Sequence, residues 1–442
     1  MLITGTVIAD PETVIADGAV VVEGSTIAAV GDANTLLEEY SDHDCRSFDI
    51  VAPGLVGGHV HSVQSLGRGI ADDDELLDWL FEAVLPMEAA MDADATRAAA
   101  ELGYLECLES GTTTVVDHLS VNHAAEAFDA AIETGIRGRL GKVLMDKKSP
   151  DGLLEPTDAG LAETEALIRE YHGAADGRIR YAVTPRFAVT CTEACLRGCR
   201  EIADRYDGVT IHTHASENET EIETVEEATG RRNVHWLDEV GLTGPDVTLA
   251  HCVHTDESER QVLAETETVV THCPSSNMKL ASGIAPIHDY LERGITVALG
   301  NDGPPCNNTL DPFTEMRQAS LLGKVDARDP TRLPAETVLE LATVNGAQAA
   351  GFDRIGRLEP GYEADVVGIT TEKTRATPVH DPLSHLVYAA HGDDVVFTMV
   401  AGEVRYDGGE HVGIDANAVR ERATRHAKRV VEAAEIETAG RG

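Results

Sequence analysis

Short β-branched runs alternate with longer helical stretches from about residue 51 onward, and this alternation limits the chain to very few folds. The runs cover 49–56, 113–118, 136–144, 179–184, 209–214, 247–251, 268–272 and 295–300. Between them, 92–110, 123–134, 157–172, 192–206, 217–229 and 256–266 read as helices. The run 50–56 has no polar side chain, as expected of a parallel strand buried on both faces. Eight strand-then-helix units predict an α/β protein built on a closed (β/α)8 TIM-like barrel, with a doubly wound sheet as runner-up.

The chain ends have a different texture. Residues 1–50 read as short strands and turns, and strand character returns after 355 at 364–369, 395–400 and 403–406. A composite small β-sandwich domain, 1–52 with 356–412, is expected beside a barrel at 53–355. A charged helix at about 415–435, within a 413–442 helix and tail, closes the chain. No internal repeat or low-complexity linker interrupts it.

Charge narrows the partners. Asp plus Glu outnumber Lys plus Arg by 77 to 35 across 442 residues, a net charge of −42, and only seven of the basic residues are Lys. Without a basic stripe, neither nucleic acid nor an anionic membrane is an expected partner. Diffuse acidity with scarce Lys suggests a halophilic protein, hydrated in concentrated salt that screens its self-repulsion. The first residues alternate like a strand and lack a basic leader, so no signal peptide is expected. No apolar run approaches the ~18 residues of a membrane span. The eight scattered Cys read as reduced thiols of a cytoplasmic protein. Cys191, Cys195 and Cys199 could share one helix face, and buried small apolar residues are the preferred reading over a metal site.

Barrels of this kind place function at the C-terminal strand ends. Those ends carry His59, His61, His118, His212, His214, His251, His272 and Asp302. In His59-Val60-His61 the two imidazoles point to the same side of a strand and can reach one ion. Such a pair alone is weak evidence, but histidines at one strand end after another are hard to explain by packing. Three imidazoles and a carboxylate suit Zn²⁺ with a position left for water. Either His212 or His214 could be the ligand of the fifth strand, and His118 is placed behind the ligands. Glu217, three residues past His214, could exchange protons between a water and a substrate nitrogen. The plainer reading of Glu217, an acid complementing a helix N-terminus, is set aside because of that neighbour.

Pro53-Gly54-Leu55-Val56 with His59 and His61, His214-Ala215-Ser216-Glu217, His251-Cys252-Val253-His254, His272-Cys273-Pro274-Ser275-Ser276-Asn277 and Asp302-Gly303 resemble the amidohydrolase superfamily. Gly356 to Asp365 matches that superfamily's return to the β domain. The nearest branch resembles deaminases of S-adenosylhomocysteine, methylthioadenosine and 5′-deoxyadenosine, with guanine deaminases and triazine hydrolases as relatives. The resemblance implies one divalent metal, usually zinc, held by His59, His61, His214 and Asp302. It places His251 and Glu217 beside the attacking water, with Asp302 as general base, Glu217 as donor to the ring nitrogen and His251 polarising the nucleophile. Binuclear relatives carry a bridging Lys on the fourth strand; here no Lys occurs between Lys148 and Lys279, which favours one metal. The implied partner is a small purine nucleoside or purine-like heterocycle, and a homo-oligomer is expected.

Four residues bear on the substrate. Trp79 and Glu88 resemble the nucleoside-deaminase branch, where the acid accepts ribose hydroxyls; a solvated helix Glu is the competing reading. Gln64 and Arg186, in Pro185-Arg186-Phe187, also resemble guanine deaminases. The expected activity is hydrolytic deamination of an adenine nucleoside. Guanine deamination and triazine hydrolysis are the alternatives, and a catalytically dead binding scaffold is a different class.

Overall fold

The computed structural model describes residues 1–436. Eight parallel strands form the barrel in chain order: Leu55–Val60, Thr112–His118, Arg137–Gly141, Ile179–Pro185, Thr210–Ala215, Val247–His251, Val269–His272 and Val297–Leu299. The first and last meet through a parallel bridge between Val60 and Asp302. There the His59 carbonyl accepts the N–H groups of Asn301 (3.1 Å) and Asp302 (3.0 Å). Gly300 permits this approach, since a Cβ on it would lie 3.0 Å from the backbone nitrogen of His59. The expected barrel is therefore observed, and the doubly wound alternative is not.

The expected helices are present with slightly shorter bounds, such as Ala93–Glu109, Thr157–Tyr171 and Glu257–Glu265. The expected strand 136–144 is instead two, Arg137–Gly141 and Val143–Leu144. It breaks at Lys142, whose N–H bonds the Tyr181 hydroxyl (3.2 Å) while its buried ammonium reaches Glu155 (2.6 Å). One residue thus leaves the ladder to satisfy a buried charge, which an apolar run does not reveal.

Both chain ends contribute to a separate sheet of eight strands, in the order Glu410–His411, Glu403–Asp407, Val395–Val400, Val366–Ile369, Cys45–Pro53, Leu2–Asp10, Thr13–Glu23 and Thr26–Asp32. Only Leu2–Asp10 with Cys45–Pro53 is parallel. The segment entering Val366–Ile369 reaches the turn before the edge strand Thr26–Asp32, where Ala364 N–H bonds the Ser25 carbonyl at 2.8 Å. Its inner face encloses Ile3, Val20, Val22, Ile27, Val366, Phe397 and Met399. The sandwich-like layer is thus made by a single sheet folded over its own core. The helix Ala416–Ala433 lies on the barrel helix Ala93–Glu109, with Ala423 and Val430 packed beside Ala95 and Ala99. The residues expected as a tail beyond 436 lie outside the described residues. Among the described residues no helix is long and apolar enough to cross a membrane.

A buried ion pair ties sheet to barrel. Arg137, on the third barrel strand, donates from Nε and Nη2 to the two oxygens of Asp365, each at 2.9 Å. Asp365 also accepts the Ala401 N–H at 2.7 Å. Bidentate geometry strengthens such a pair, and loss of one partner leaves a buried charge uncompensated. Asp365→Ala is expected to cost about 3–5 kcal/mol of stability, read as a lowered midpoint in denaturant unfolding. An unchanged midpoint would show that the pair is solvated.

Candidate metal centre and active site

The C-terminal strand ends converge on one point. Nε2 of His59 and Nε2 of His61 lie 3.3 and 3.4 Å from Oδ1 of Asp302. Nε2 of His61 is also 3.1 Å from Nε2 of His214. One ligand atom from each of these four residues lies within 4.8 Å of every other. The remaining ring nitrogens are occupied: Nδ1 of His61 donates to the His118 carbonyl and Nδ1 of His214 to the Arg186 carbonyl, each at 2.7 Å. These bonds select the tautomer that turns Nε2 inward. Burial drives His61 and His214 well below the ordinary imidazole range, so both stay neutral as ligation demands. Nε2 of His59 is buried with no hydrogen-bond partner among the described residues. That orphaned donor set fits a divalent cation with mixed nitrogen and oxygen ligands.

Of the two histidines on the fifth strand, His214 joins the ligand set. His212 lies one strand repeat deeper and sets its Nε2 3.1 Å from Nδ1 of His59, so it orients His59. His118 stands behind the ligands, its ring 4.7 Å from that of His214. His272 is buried and held neutral by desolvation, with a pKa of about 3, and joins no metal-ligand group. His254 is half-buried, with Nε2 2.5 Å from the Ser282 carbonyl. Cys191, Cys195 and Cys199 are buried free thiols, and no metal-ligand group among the described residues includes them.

Beside the ligands stand two further titratable groups. Nε2 of His251 is 3.5 Å from Oε2 of Glu217 and 3.8 Å from Oδ2 of Asp302. Burial pushes the Glu217 carboxyl up to about 7, against the pull of His251. Burial opposes charge on His251, but Glu217 and Asp302 outweigh it and raise its pKa. Burial likewise works against Asp302, yet the imidazoles of His59, His251 and His61 hold its carboxyl well below the usual range. Two carboxyls that flank one imidazole are thus driven in opposite directions, the pattern of an acid beside a base. His251 and Asp302 both adopt left-handed backbone, at φ 71° and 62°, strain of the kind that clusters at working sites.

The cleft over these groups is lined by Leu76, Trp79, Leu80, Arg186 and Phe187. Trp79 closes the short helix Leu76–Trp79, which runs into a π-helical turn, Leu80–Val84, and then into Leu85–Ala89. The indole N–H of Trp79 is buried without a partner among the described residues. Glu88 is fully buried, so the solvated-helix reading fails. It accepts from Nε2 of Gln64 (2.8 Å) and from Nη1 of Arg186 (3.2 Å). Glu88, Gln64 and Arg186 therefore form one cluster. Gly303 makes room for it, since a Cβ there would lie 2.1 Å from Oε1 of Gln64.

Other supporting residues had no assigned role in the sequence. Ser276 Oγ donates to Oδ2 of Asp302 (2.6 Å), and Oδ1 of Asn277 accepts from Nδ1 of His251 (2.9 Å). Both follow the seventh strand within His272-Cys273-Pro274-Ser275-Ser276-Asn277, a motif whose tight spacing was the available signal. Glu315 had none, standing on the helix Pro312–Ala327 outside every motif. It accepts the Ser275 N–H (3.1 Å) and Nδ2 of Asn307 (2.8 Å), and Asn307 in turn donates to the Asn301 carbonyl (2.7 Å). One carboxyl thereby fastens the loops that carry Ser276, Asn277 and Asp302.

The sequence profile of the Amidohydrolase family matches residues 50–405, a span that contains every one of these groups. The chain belongs to the amidohydrolase family. It is a hydrolase of C–N bonds. A second profile, the imidazolonepropionase-like composite domain of bacteria, matches residues 18–40 of the small sheet. This amidohydrolase is 42% identical to a 5-methylthioadenosine/S-adenosylhomocysteine deaminase of Haloarcula marismortui over 98% of its own length and 99% of the relative's. It is 41% identical to a 5′-deoxyadenosine deaminase of Methanothermobacter thermautotrophicus, covering 96% and 97% of the two chains. Among solved structures it is similar to an adenosine deaminase from Xanthomonas campestris with bound zinc, at TM-score 0.90 and 31% identity over 98% of each chain.

Partners that orient the groups around a metal site typically matter 10- to 100-fold. Glu315→Ala is accordingly expected to lower kcat by roughly 10- to 100-fold and to lower the unfolding midpoint, because buried donors lose their acceptor. Full activity in that variant would remove Glu315 from the account.

Proposed function

We propose that this amidohydrolase is a zinc-dependent deaminase of adenine nucleosides, acting on 5′-deoxyadenosine, methylthioadenosine or S-adenosylhomocysteine to give the inosine analogue and ammonia. The observation that carries the reading is Glu217: a buried carboxyl raised to about 7, on the wall of the cleft and beside the ligand set. A protonated acid in that place suits a ring nitrogen that must gain a proton as its neighbouring carbon is attacked. Zinc is supported by the donor set of three imidazoles and one carboxylate and by the zinc in the Xanthomonas campestris relative. The nucleoside is supported by the names of the two near-full-length relatives.

His59, His61, His214 and Asp302 would hold the ion. When bound, it lowers the pKa of a water toward neutrality. Asp302, kept ionised, accepts the proton of the attacking water at Oδ2, the oxygen turned toward His251. Glu217 gives its proton to the ring nitrogen next to the reacting carbon. His251, fixed by Asn277 through Nδ1, presents Nε2 to the charge developing on the attacking oxygen. The proton held by Asp302 then passes to the departing amino group, and ammonia leaves. Leu76, Trp79, Leu80 and Phe187 supply an apolar wall for the ring. Glu88 would receive the ribose hydroxyls on lone pairs left free by Gln64 and Arg186, since an ionised carboxylate has about four acceptor sites. Arg186 is already paired with Glu88, which weighs against its serving a guanine carbonyl.

The zinc-loaded protein at high salt is expected to release ammonia from these nucleosides faster than from guanine. Glu217→Gln should lower kcat by roughly 10²- to 10⁴-fold while bound metal is retained. Glu88→Ala should raise KM for nucleosides more than it lowers kcat. Guanine as sole substrate would overturn the assignment, and undiminished nucleoside turnover by Glu88→Ala would remove the ribose role given to Glu88.

A further inference from the structure

We infer that the active site also offers a second, mutually exclusive seat for a thiophilic metal ion, formed by Cys273, His251 and His59. One ring nitrogen of His59, one of His251 and the thiol of Cys273 lie within 4.8 Å of one another. All three residues are fully buried. Nδ1 of His251 is taken by Asn277, which leaves Nε2, facing Glu217 at 3.5 Å without a hydrogen bond, as the nitrogen that would bind an ion. Cys273 follows the seventh strand directly and precedes Pro274, which restricts the backbone beside the thiol. The three groups come from the first, sixth and seventh strands, so the seat is built on the barrel itself.

Its ligand chemistry differs from that of the hydrolytic centre. There, three imidazoles and a carboxylate would hold the ion; here, two imidazoles and a thiol would. Thiolate donors favour soft ions such as Cd²⁺, Hg²⁺ and Cu⁺. Binding exchanges protons for the ion: the Cys273 S–H bond breaks as the S–metal bond forms, a protonated His251 gives up its Nε2 proton as the N–metal bond forms, and the protons pass to solvent. Because His59 belongs to both groups, an ion in the thiol seat takes a ligand from the hydrolytic metal. Soft ions would then inhibit by drawing His59 away and releasing zinc.

The test is titration of the zinc-loaded protein with Cd²⁺, in a Cys45→Ser background because Cys45 is the exposed cysteine. Two signals are followed: the ultraviolet thiolate-to-cadmium charge-transfer band and zinc released to a chelating dye. One band per chain, with about one zinc released per cadmium bound, is expected, and Cys273→Ser should abolish the band. Cys306→Ser should keep it, since Cys306 donates instead to the Gly303 carbonyl (3.0 Å). Simple replacement of zinc by cadmium among His59, His61, His214 and Asp302 would give no band and would overturn the inference. So would a band that survives Cys273→Ser, or zinc retained alongside bound cadmium. None of these readouts depends on the substrate, so they stand apart from the deaminase assignment.

Discussion

Closure of the barrel between its first and last strands is the constraint from which the active site follows. The His59 carbonyl accepts the N–H groups of both Asn301 and Asp302, so the bonds that seal the barrel also bring the Asp302 carboxylate to within 3.4 Å of two imidazole nitrogens. The same seam depends on Gly300, where a side chain would collide with the His59 backbone. The group that could hold a metal and the closure of the barrel therefore share one seam. An ion bound there would stabilise the fold by binding the closed form alone.

Around that seam the polar groups are arranged by depth and by burial. His212, one strand repeat below His214, orients His59; His118 and Arg186 contribute carbonyls that fix His61 and His214. Glu217 and Asp302 share a dry environment, yet one is held protonated near neutrality and the other ionised. The difference lies in neighbours: the imidazoles crowd Asp302, whereas desolvation dominates at Glu217. Ser276 then holds the Asp302 carboxyl, Asn277 the His251 ring, and Glu315 the segment that carries both.

Much of this was legible in the residues. The strand period aligned His59 with His61, and the β-then-α rhythm placed His251 and Asp302 at strand ends, where a barrel gathers its chemistry. Glu217 was legible from its spacing to His214. Other points were not. A period of two puts His212 and His214 on one face, and only depth along the barrel axis, about 6–7 Å per two residues, separates ligand from supporter. Glu88 looks solvated in so acidic a chain, because nothing local shows that Gln64 and Arg186 will enclose it. The break at Lys142 answers to Glu155 and Tyr181, and the role of Glu315 arises from two loops that meet only in the folded barrel. Such tertiary pairings leave no local pattern.

The account stands on a single divalent ion held at the barrel seam. Anomalous diffraction at the zinc absorption edge, on crystals of the zinc-loaded protein, tests this most directly. One anomalous peak per chain is predicted, with His59, His61, His214 and Asp302 at about 2.0–2.2 Å from it. Two peaks bridged across the barrel, or one peak ligated by His212 in place of His214, would contradict the account.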